Sequence, residues 1–384
     1  MITRARLSDR ARAVIDDFAN HPGVTPDHVG CLRAAIYSSP ALAQNFDNAV
    51  RGGTLDRLRP LPESSSAGGT YEATHRSISF PLSKLNRANV DEATFVLGHE
   101  VQHALNRRET SRADQAFFDD LDRSARHDQD YTRPIARVVR AHRRDEASAN
   151  IAGWNALADR LRQRHSDLTL EMIRNAARWR SLDFVERDRT TRELRPRGSL
   201  VILADGRIDP TPTNVEAMAR AYVDRLPEAT KLGHNGNSDY ANHYGAWAIS
   251  VAAQKHTTHH PSKPSLSMRV DLEQLHLDRS LLEQNGVDLG QRRQPIPLVD
   301  ATGHPPTDHL LHHTAASHRF VPIADRPDLN GTSPVPARLA RLGFASRPQL
   351  RTVTQIAATA TRSQWPTSLR TQRVRSDFGA RDGP

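Results

Sequence analysis

Thr94–Asn106, TFVLGHEVQHALN, is the stretch from which the rest of the chain is read. Phe95, Val96, Leu97, Val101, Ala104 and Leu105 predict a helix mostly buried in a core, with Asn89 and Glu92 forming a capping-box-like start ahead of it. On that helix stand His99, Glu100 and His103, in the pattern H-E-x-x-H. Residues four apart share a helical face, so His99 and His103 can offer two imidazole nitrogens to one ion while Glu100 lies beside them. Ionisable groups in a core are costly unless something satisfies them. The stretch therefore reads as a zinc site, with Glu100 as the general base toward the water on the metal.

At these residues the chain resembles the zincin metallopeptidases, over this helix, the stretch before it and one later helix. The resemblance implies a bound Zn2+, a zincin-like core with an active-site helix and a second ligand-bearing helix, and hydrolysis of peptide bonds. A catalytic zinc site takes three protein ligands and leaves one position open, so a third ligand is required. The long helix expected from about Pro134 to Leu161 carries the candidate, Glu146. It sits among Ala147, Ala149, Ala152 and Gly153, small residues that suit a helix packed closely on another. His142, Asp145 and His127 are the alternatives. In the gluzincin group of zincins a Glu on a second helix completes the site, and an acid four residues later commonly orients a histidine ligand through its free ring nitrogen. Glu146 and Asn150 match that spacing, with Asn150 in place of the usual Asp. Its amide oxygen can accept the imidazole N–H but adds no charge.

Peptide deformylases share H-E-x-x-H and take a third ligand from cysteine in a Gly-Cys-Leu context. Gly30-Cys31-Leu32 is such a context, but Val29 stands where that family has Glu, and Cys31 falls on a predicted helix. Cys31 is read as a buried structural residue. As the only cysteine, it also excludes an internal disulfide framework and any cysteine-based zinc cluster.

The remaining pattern predicts a mainly α chain with a small β-hairpin or sheet, an α+β class. Residues 1–61 read as a helical N-terminal region with helix starts at Ser8, Thr25-Pro26 and Ser39-Pro40. Residues 62–255 read as the zincin-like core. Within it Pro62–Gly69 is a linker, Tyr71–Leu82 a hairpin leading into the metal helix, and Ser111–Arg126 a separate second helix. Asp119, Asp120 and Asp122 on that helix read as a solvated face. Further on come a helix over Leu168–Trp179, a strand pair from Ser199–Leu203 around the Asp205-Gly206 turn and a helix over Asn214–Leu226. A Gly/Asn loop then leads into a helix within His234–Gln254. Tyr240, His243 and Tyr244 at its start are either oxyanion-stabilising groups facing the zinc or aromatics packed in a core.

Residues 256–384 read as a Pro/His-rich, basic, loosely ordered extension with a few helices. From Lys255 onward lie 13 of the 24 prolines and 9 of the 19 histidines, a composition short of core-forming residues. Its short apolar runs are Leu272–Leu282 and Val335–Phe344. Of the formal net charge of +9, Ala337–Pro384 holds nine Arg against Asp377 and Asp382. No nucleic-acid signature accompanies this charge.

The longest apolar stretch, Ala246–Ala253, is too short to span a bilayer, and MITRARLSDRARAVIDDFAN lacks the apolar core of a Sec signal. The expectation is a soluble zinc metallopeptidase made in the cytoplasm, acting on a protein or peptide substrate. Its architecture resembles bacterial toxins or effectors exported by specialised machinery, which makes secretion machinery or an immunity partner the associated proteins. The alternative is a non-catalytic interaction or secretion-associated protein with a structural or accidental metal site.

Overall fold

The structure, a computed structural model, describes residues 6–61, 68–230, 232, 238–263, 266–284, 296–301, 307–313 and 318–322. Most of the Pro62–Gly69 linker, the Gly/Asn loop, the Val335–Phe344 run and the basic Ala337–Pro384 segment lie outside these residues. The described chain is mainly helical with small sheets.

The first three helices start where hydroxyl residues supply the missing acceptor. They are α1 (Asp9–Phe18), α2 (Pro26–Tyr37) and α3 (Pro40–Arg51), and Ser8, Thr25 and Ser39 accept from the backbone N–H groups of Ala11, His28 and Leu42. Pro26 and Pro40 open their helices, where a missing N–H costs nothing. Phe18, Leu32, Ile36 and Phe46 are fully buried in one core with the strands that follow.

Those strands are β1 (Arg57–Leu61), β2 (Thr70–Glu72) and β3 (Ser77–Pro81), in the order β1-β3-β2. The β2–β3 hairpin follows the sequence pattern and pairs Tyr71 with Ile78; β1, which that pattern does not predict, runs parallel to β3. Pro60 within β1 is tolerated because β1 is an edge strand.

Helix α4 (Val90–Arg126) is one helix of 37 residues, where the sequence suggests a break before Ser111. The hydroxyl of Thr110 explains the difference: it bonds back to the carbonyls of Asn106 and Arg107 instead of capping a new start. Nor does Glu92 form a capping box, since its carboxylate accepts from Arg180 at 2.8 Å. Phe95, Leu97, Val101 and Ala104 are fully buried, as their spacing requires.

Helix α5 (Thr132–Arg162) packs on α4 with almost no room between the backbones. A Cβ at Gly98 would lie 2.7 Å from Ala156 Cβ, and one at Gly153 would lie 2.8 Å from the Phe95 carbonyl oxygen. Glycine at these two points permits the approach. At the far end of α5, Asp159 accepts from Ser39 Oγ at 3.1 Å and Ala41 N at 2.8 Å, while buried Arg160 reaches Asp91 at 2.6 Å. These contacts tie the N-terminal helices to α5 and α5 to the start of α4.

After α5 come α6 (Leu170–Ala177), a 3-10 stretch over Arg178–Asp183, and the hairpin β4 (Val185–Arg187) with β5 (Leu194–Pro196). The expected strand pair at Ser199–Leu203 is absent. The Leu200 N–H bonds Arg197 O and the Val201 N–H bonds the Asn214 side chain, so a ladder never forms. Helix α7 (Pro212–Met218) runs into a π turn at Ala219–Val223, followed by the single turn α8 (Pro227–Thr230) and then α9 (Tyr240–His259).

The chain divides into two compact units. The first holds the described residues up to Asp119 and Ala136–Tyr244; the second holds Asp120–Ile135 and the described residues from Gly245. The second unit contains β6 (Met268–Val270), α10 (Arg279–Gln284), β7 (Ile296–Asp300), β8 (Thr307–His313) and β9 (His318–Pro322). They form a sheet ordered β6-β7-β8-β9, parallel at β6–β7 and antiparallel beyond. Among the described residues no helix is long and apolar enough to cross a membrane.

Candidate metal centre

One turn of α4 separates His99 from His103, and their Nε2 atoms face each other at 3.0 Å. Glu146, brought in by α5, completes the group, with Oε2 3.8 Å from His99 Nε2 and Oε1 4.0 Å from His103 Nε2. These three residues form a group that could hold a metal ion. Ligand atoms bound tetrahedrally at zinc distances lie roughly 3.3 Å from one another, close to the observed spacings. The donor set also suits the ion. Two imidazole nitrogens cannot satisfy each other with more than one proton, and a carboxylate 3% exposed has few other reasons to point at them.

The backs of the ligands are held as well. His103 Nδ1 meets Asp145 Oδ2 at 2.8 Å, and the other Asp145 oxygen accepts from Asn106 at 2.7 Å. Gln102 in turn donates to Asn106 at 2.7 Å. Burial works against a charged His103, but Asp145, Glu146 and Glu100 outweigh it and push its pKa up to about 10. Burial, His103 and Arg180 together hold His99 well below its ordinary value. The two shifts run in opposite directions, and an ion held by both rings would have to displace any proton on the nitrogen that binds it.

Asn150 lies near enough to His99 to oppose the fall in its pKa, but His99 Nδ1 is buried without a hydrogen-bond partner among the described residues. The Asn150 amide nitrogen lies against Met218 Sδ at 3.2 Å. The acid that orients a histidine is thus Asp145, directly before Glu146, while the position four residues after Glu146 holds an amide. From the sequence alone Asp145 reads only as an alternative metal ligand. Nothing in the sequence separates a carboxylate that faces the ion from one that holds the back of a ligand.

Glu100 lies next to the group and is 7% exposed. Burial raises its pKa to about 7, with Glu146 adding to the rise and His103 and a backbone hydrogen bond from Tyr71 opposing it. Gly69, just before β2, leaves the space for this approach, since a Cβ there would meet Val96 at 2.6 Å and the Glu100 side chain at 3.3 Å.

Of the three residues singled out at the start of α9, Tyr244 touches the group, donating to Glu146 Oε1 at 3.1 Å. His142 stacks on Tyr244, with centroids 4.9 Å apart, and bonds Asp114 at 3.1 Å, which places it outside the group. The Tyr240 hydroxyl is shared with Tyr222 at 2.7 Å. The Tyr222 ring stands edge-on to His99 at 6.5 Å, a neighbour that the sequence did not identify; the π turn that carries it has no clear sequence signal.

The other residues considered fall outside the group. His127 lies in the turn after α4. Cys31 is buried, bonds the Asn86 carbonyl at 3.2 Å and is pushed up to about 11 by burial, as suits an inert thiol. Asp119 is exposed as expected, but Asp120 is buried and pairs with Arg123, and Asp122 pairs with Lys255 and His259.

Comparison with protein families, curated proteins and solved structures finds no match for this chain.

Proposed function

We propose that the chain is a zinc-dependent peptidase in which His99, His103 and Glu146 hold the ion and Glu100 is the general base. The observation that carries this reading is a buried carboxylate with its pKa near 7, Glu100, beside two histidines and a second buried carboxylate that converge on one point. A zinc ion in that position supplies Lewis acidity toward a carbonyl and lowers the pKa of a coordinated water.

The chain's own residues divide the remaining work. Asp145 and Asn106 fix the His103 ring, and Tyr244 fixes the Glu146 carboxylate. Glu100 has the affinity to take a proton near neutral pH and return it to a leaving amine, because a base works best with its pKa near the working pH. The test is a pair of variants. Glu100→Gln keeps zinc and loses turnover of a peptide substrate, whereas His99→Ala loses both; retained turnover in either would overturn the assignment.

A second reading, a non-catalytic interaction or secretion-associated protein with a structural metal, draws on how fully Asp145, Tyr244 and Glu146 are already bonded within the protein. Zinc that exchanges with hydroxamate inhibitors would count against it. Export as a bacterial toxin or effector, with the basic Ala337–Pro384 segment as delivery signal, is a further part of the proposal. Deleting that segment should abolish export, and unchanged export would remove the idea.

A further inference from the structure

The three side chains of the metal group are held in direction by different means. Asp145 fixes the His103 ring at 2.8 Å, and Tyr244 fixes the Glu146 carboxylate at 3.1 Å. His99 has no such bond, since its Nδ1 is buried without a hydrogen-bond partner among the described residues. The Asn150 amide nitrogen is turned to Met218 Sδ instead. Holding the His99 ring therefore falls to packing. Its aromatic neighbours are His103 and Tyr222, and Tyr222 meets it edge-on, with centroids 6.5 Å apart and planes at 83°. That geometry lies within the favourable range for ring pairs.

Tyr222 sits in a rare piece of backbone. The π turn Ala219–Val223 is closed by the Asp224 N–H on Ala219 O at 2.9 Å, and such turns cluster at functional sites. Losing the extra residue would rotate the side chains after it by roughly 100° about the helix axis. One residue of α5 holds both flanks of the turn. Arg143 donates from Nε and Nη2 to the two Asp224 oxygens at 2.7 and 2.6 Å, and from Nη1 and Nη2 to the two Glu216 oxygens at 2.6 and 3.1 Å. Glu216 precedes the turn on α7, and Asp224 follows it directly. An exposed ion pair contributes little, but the Arg143 side chain is 22% exposed and acts as two forks, which fixes geometry as well as charge.

We infer, on the zinc reading above, that Arg143 and Tyr222 are positioning residues for His99. Arg143 fixes the π turn to α5, the helix that also carries Glu146, and the turn sets the Tyr222 ring against His99. The ring gives this ligand the direction that Asp145 and Tyr244 give the other two. Arg225, over the Tyr222 ring at 5.2 Å, and the Tyr240 hydroxyl at 2.7 Å hold the ring itself, whereas Arg143 holds the turn that carries it.

The test uses the full chain and two readouts. In the metal-free protein, isotope-labelled histidine gives an NMR signal for each ring, and His99→Gln identifies that of His99. Arg143→Lys, which cannot form two forks, and Tyr222→Leu should each move the His99 signal. Arg162→Lys, at an ion-paired arginine elsewhere on α5, should not. An unmoved His99 signal in Arg143→Lys overturns the inference. The second readout is zinc affinity by competition with a chelator, under conditions where circular dichroism shows every variant folded. Arg143→Lys and Tyr222→Leu should each lose about tenfold, as changes behind a ligand do, while Tyr222→Phe, which keeps the ring, should match the wild type. The double variant Arg143→Lys with Tyr222→Leu should lose no more than Tyr222→Leu alone, because both act through one contact. Additive losses, unchanged affinity in Arg143→Lys, or a loss in Tyr222→Phe equal to that in Tyr222→Leu overturn the inference. The predicted losses in a protein that cleaves no peptide support it and defeat the peptidase reading alone. A wild type that binds no zinc defeats the metal reading, and the NMR comparison still decides whether Arg143 sets Tyr222 against His99.

Discussion

Two helical histidine pairs in this molecule have the same spacing and different fates. His99 and His103 lie four apart on α4 with ring centroids 4.7 Å apart; His256 on α9 and His260, directly after its last residue, lie four apart with centroids 5.1 Å apart. In the second pair three of the four ring nitrogens bond the protein. His256 takes the Tyr131 hydroxyl at 3.0 Å and donates to Leu266 O at 2.9 Å, while His260 donates to Ala125 O at 2.7 Å. His259 beside them pairs with Asp122 at 2.8 Å. In the first pair the two Nε2 atoms face each other, and a buried carboxylate arrives from another helix. Spacing therefore supplies only the opportunity for a metal site. What makes one is a third donor and ring nitrogens left for it.

The largest expected effect separates the two pairs. His103→Ala should reduce bound zinc from about one equivalent to nearly none, whereas His260→Ala should leave it unchanged, as measured by elemental analysis of the purified proteins. Equal zinc in the two variants would erase the distinction.

The close helix contact comes next. Gly153→Val puts side-chain atoms where even a Cβ would lie 2.8 Å from the Phe95 carbonyl. Forcing the helices apart should cost about 1–3 kcal/mol by the usual penalty for overpacking, read as a lower urea midpoint, and zinc affinity should fall with it. An unchanged midpoint with unchanged affinity would mean that Glu146 does not depend on this approach.

A smaller effect is expected at the back of the site. Asp145→Asn keeps an acceptor for His103 Nδ1 and removes the charge, and outer-shell changes of this kind typically cost about 10–100-fold in metal affinity. Competition with a chelator of known affinity gives the number. Asp122→Asn, the corresponding change beside His259, should leave zinc affinity alone.

The smallest effect concerns pH. Burial holds the His256 pKa below its ordinary 6.5, with His260 and His259 adding to the shift and the bond to Leu266 opposing it. The unfolded chain then binds a proton more readily than the folded one as pH falls. The contribution of His256 is complete above about 6.5 and is lost as pH drops from there toward the lower folded value. Urea midpoints for the second unit should therefore fall between pH 7.5 and 5.5, and His256→Gln should flatten that dependence.

What could be read from the sequence was mostly local. His99, Glu100 and His103 lie within a single helical turn or so, and the apolar spacing around them states which face is buried. Glu146 was legible because small residues around it announced a close helix contact, which Gly98 and Gly153 provide. Helix starts at Ser8, Thr25 and Ser39 followed from capping chemistry that involves neighbours only.

The misses turn on partners distant in sequence. Thr110 could cap a helix or bond backward, and only the continuing core contacts of Phe117 and Leu121 favour the second. The apolar run at Ser199–Leu203 reads as a strand, but the Leu200 and Val201 N–H groups bond Arg197 and Asn214, while the real hairpin β4–β5 is built from charged sequence. Asp145 and Tyr222 act on the site through histidines more than forty residues away.

The most direct test of the account is the zinc content of the full chain, wild type against Glu146→Ala. The account predicts about one zinc per wild-type chain and a sharp loss in the variant. Zinc unchanged by the substitution would show that α5 does not supply the third ligand, and no zinc in either protein would contradict the metal centre itself.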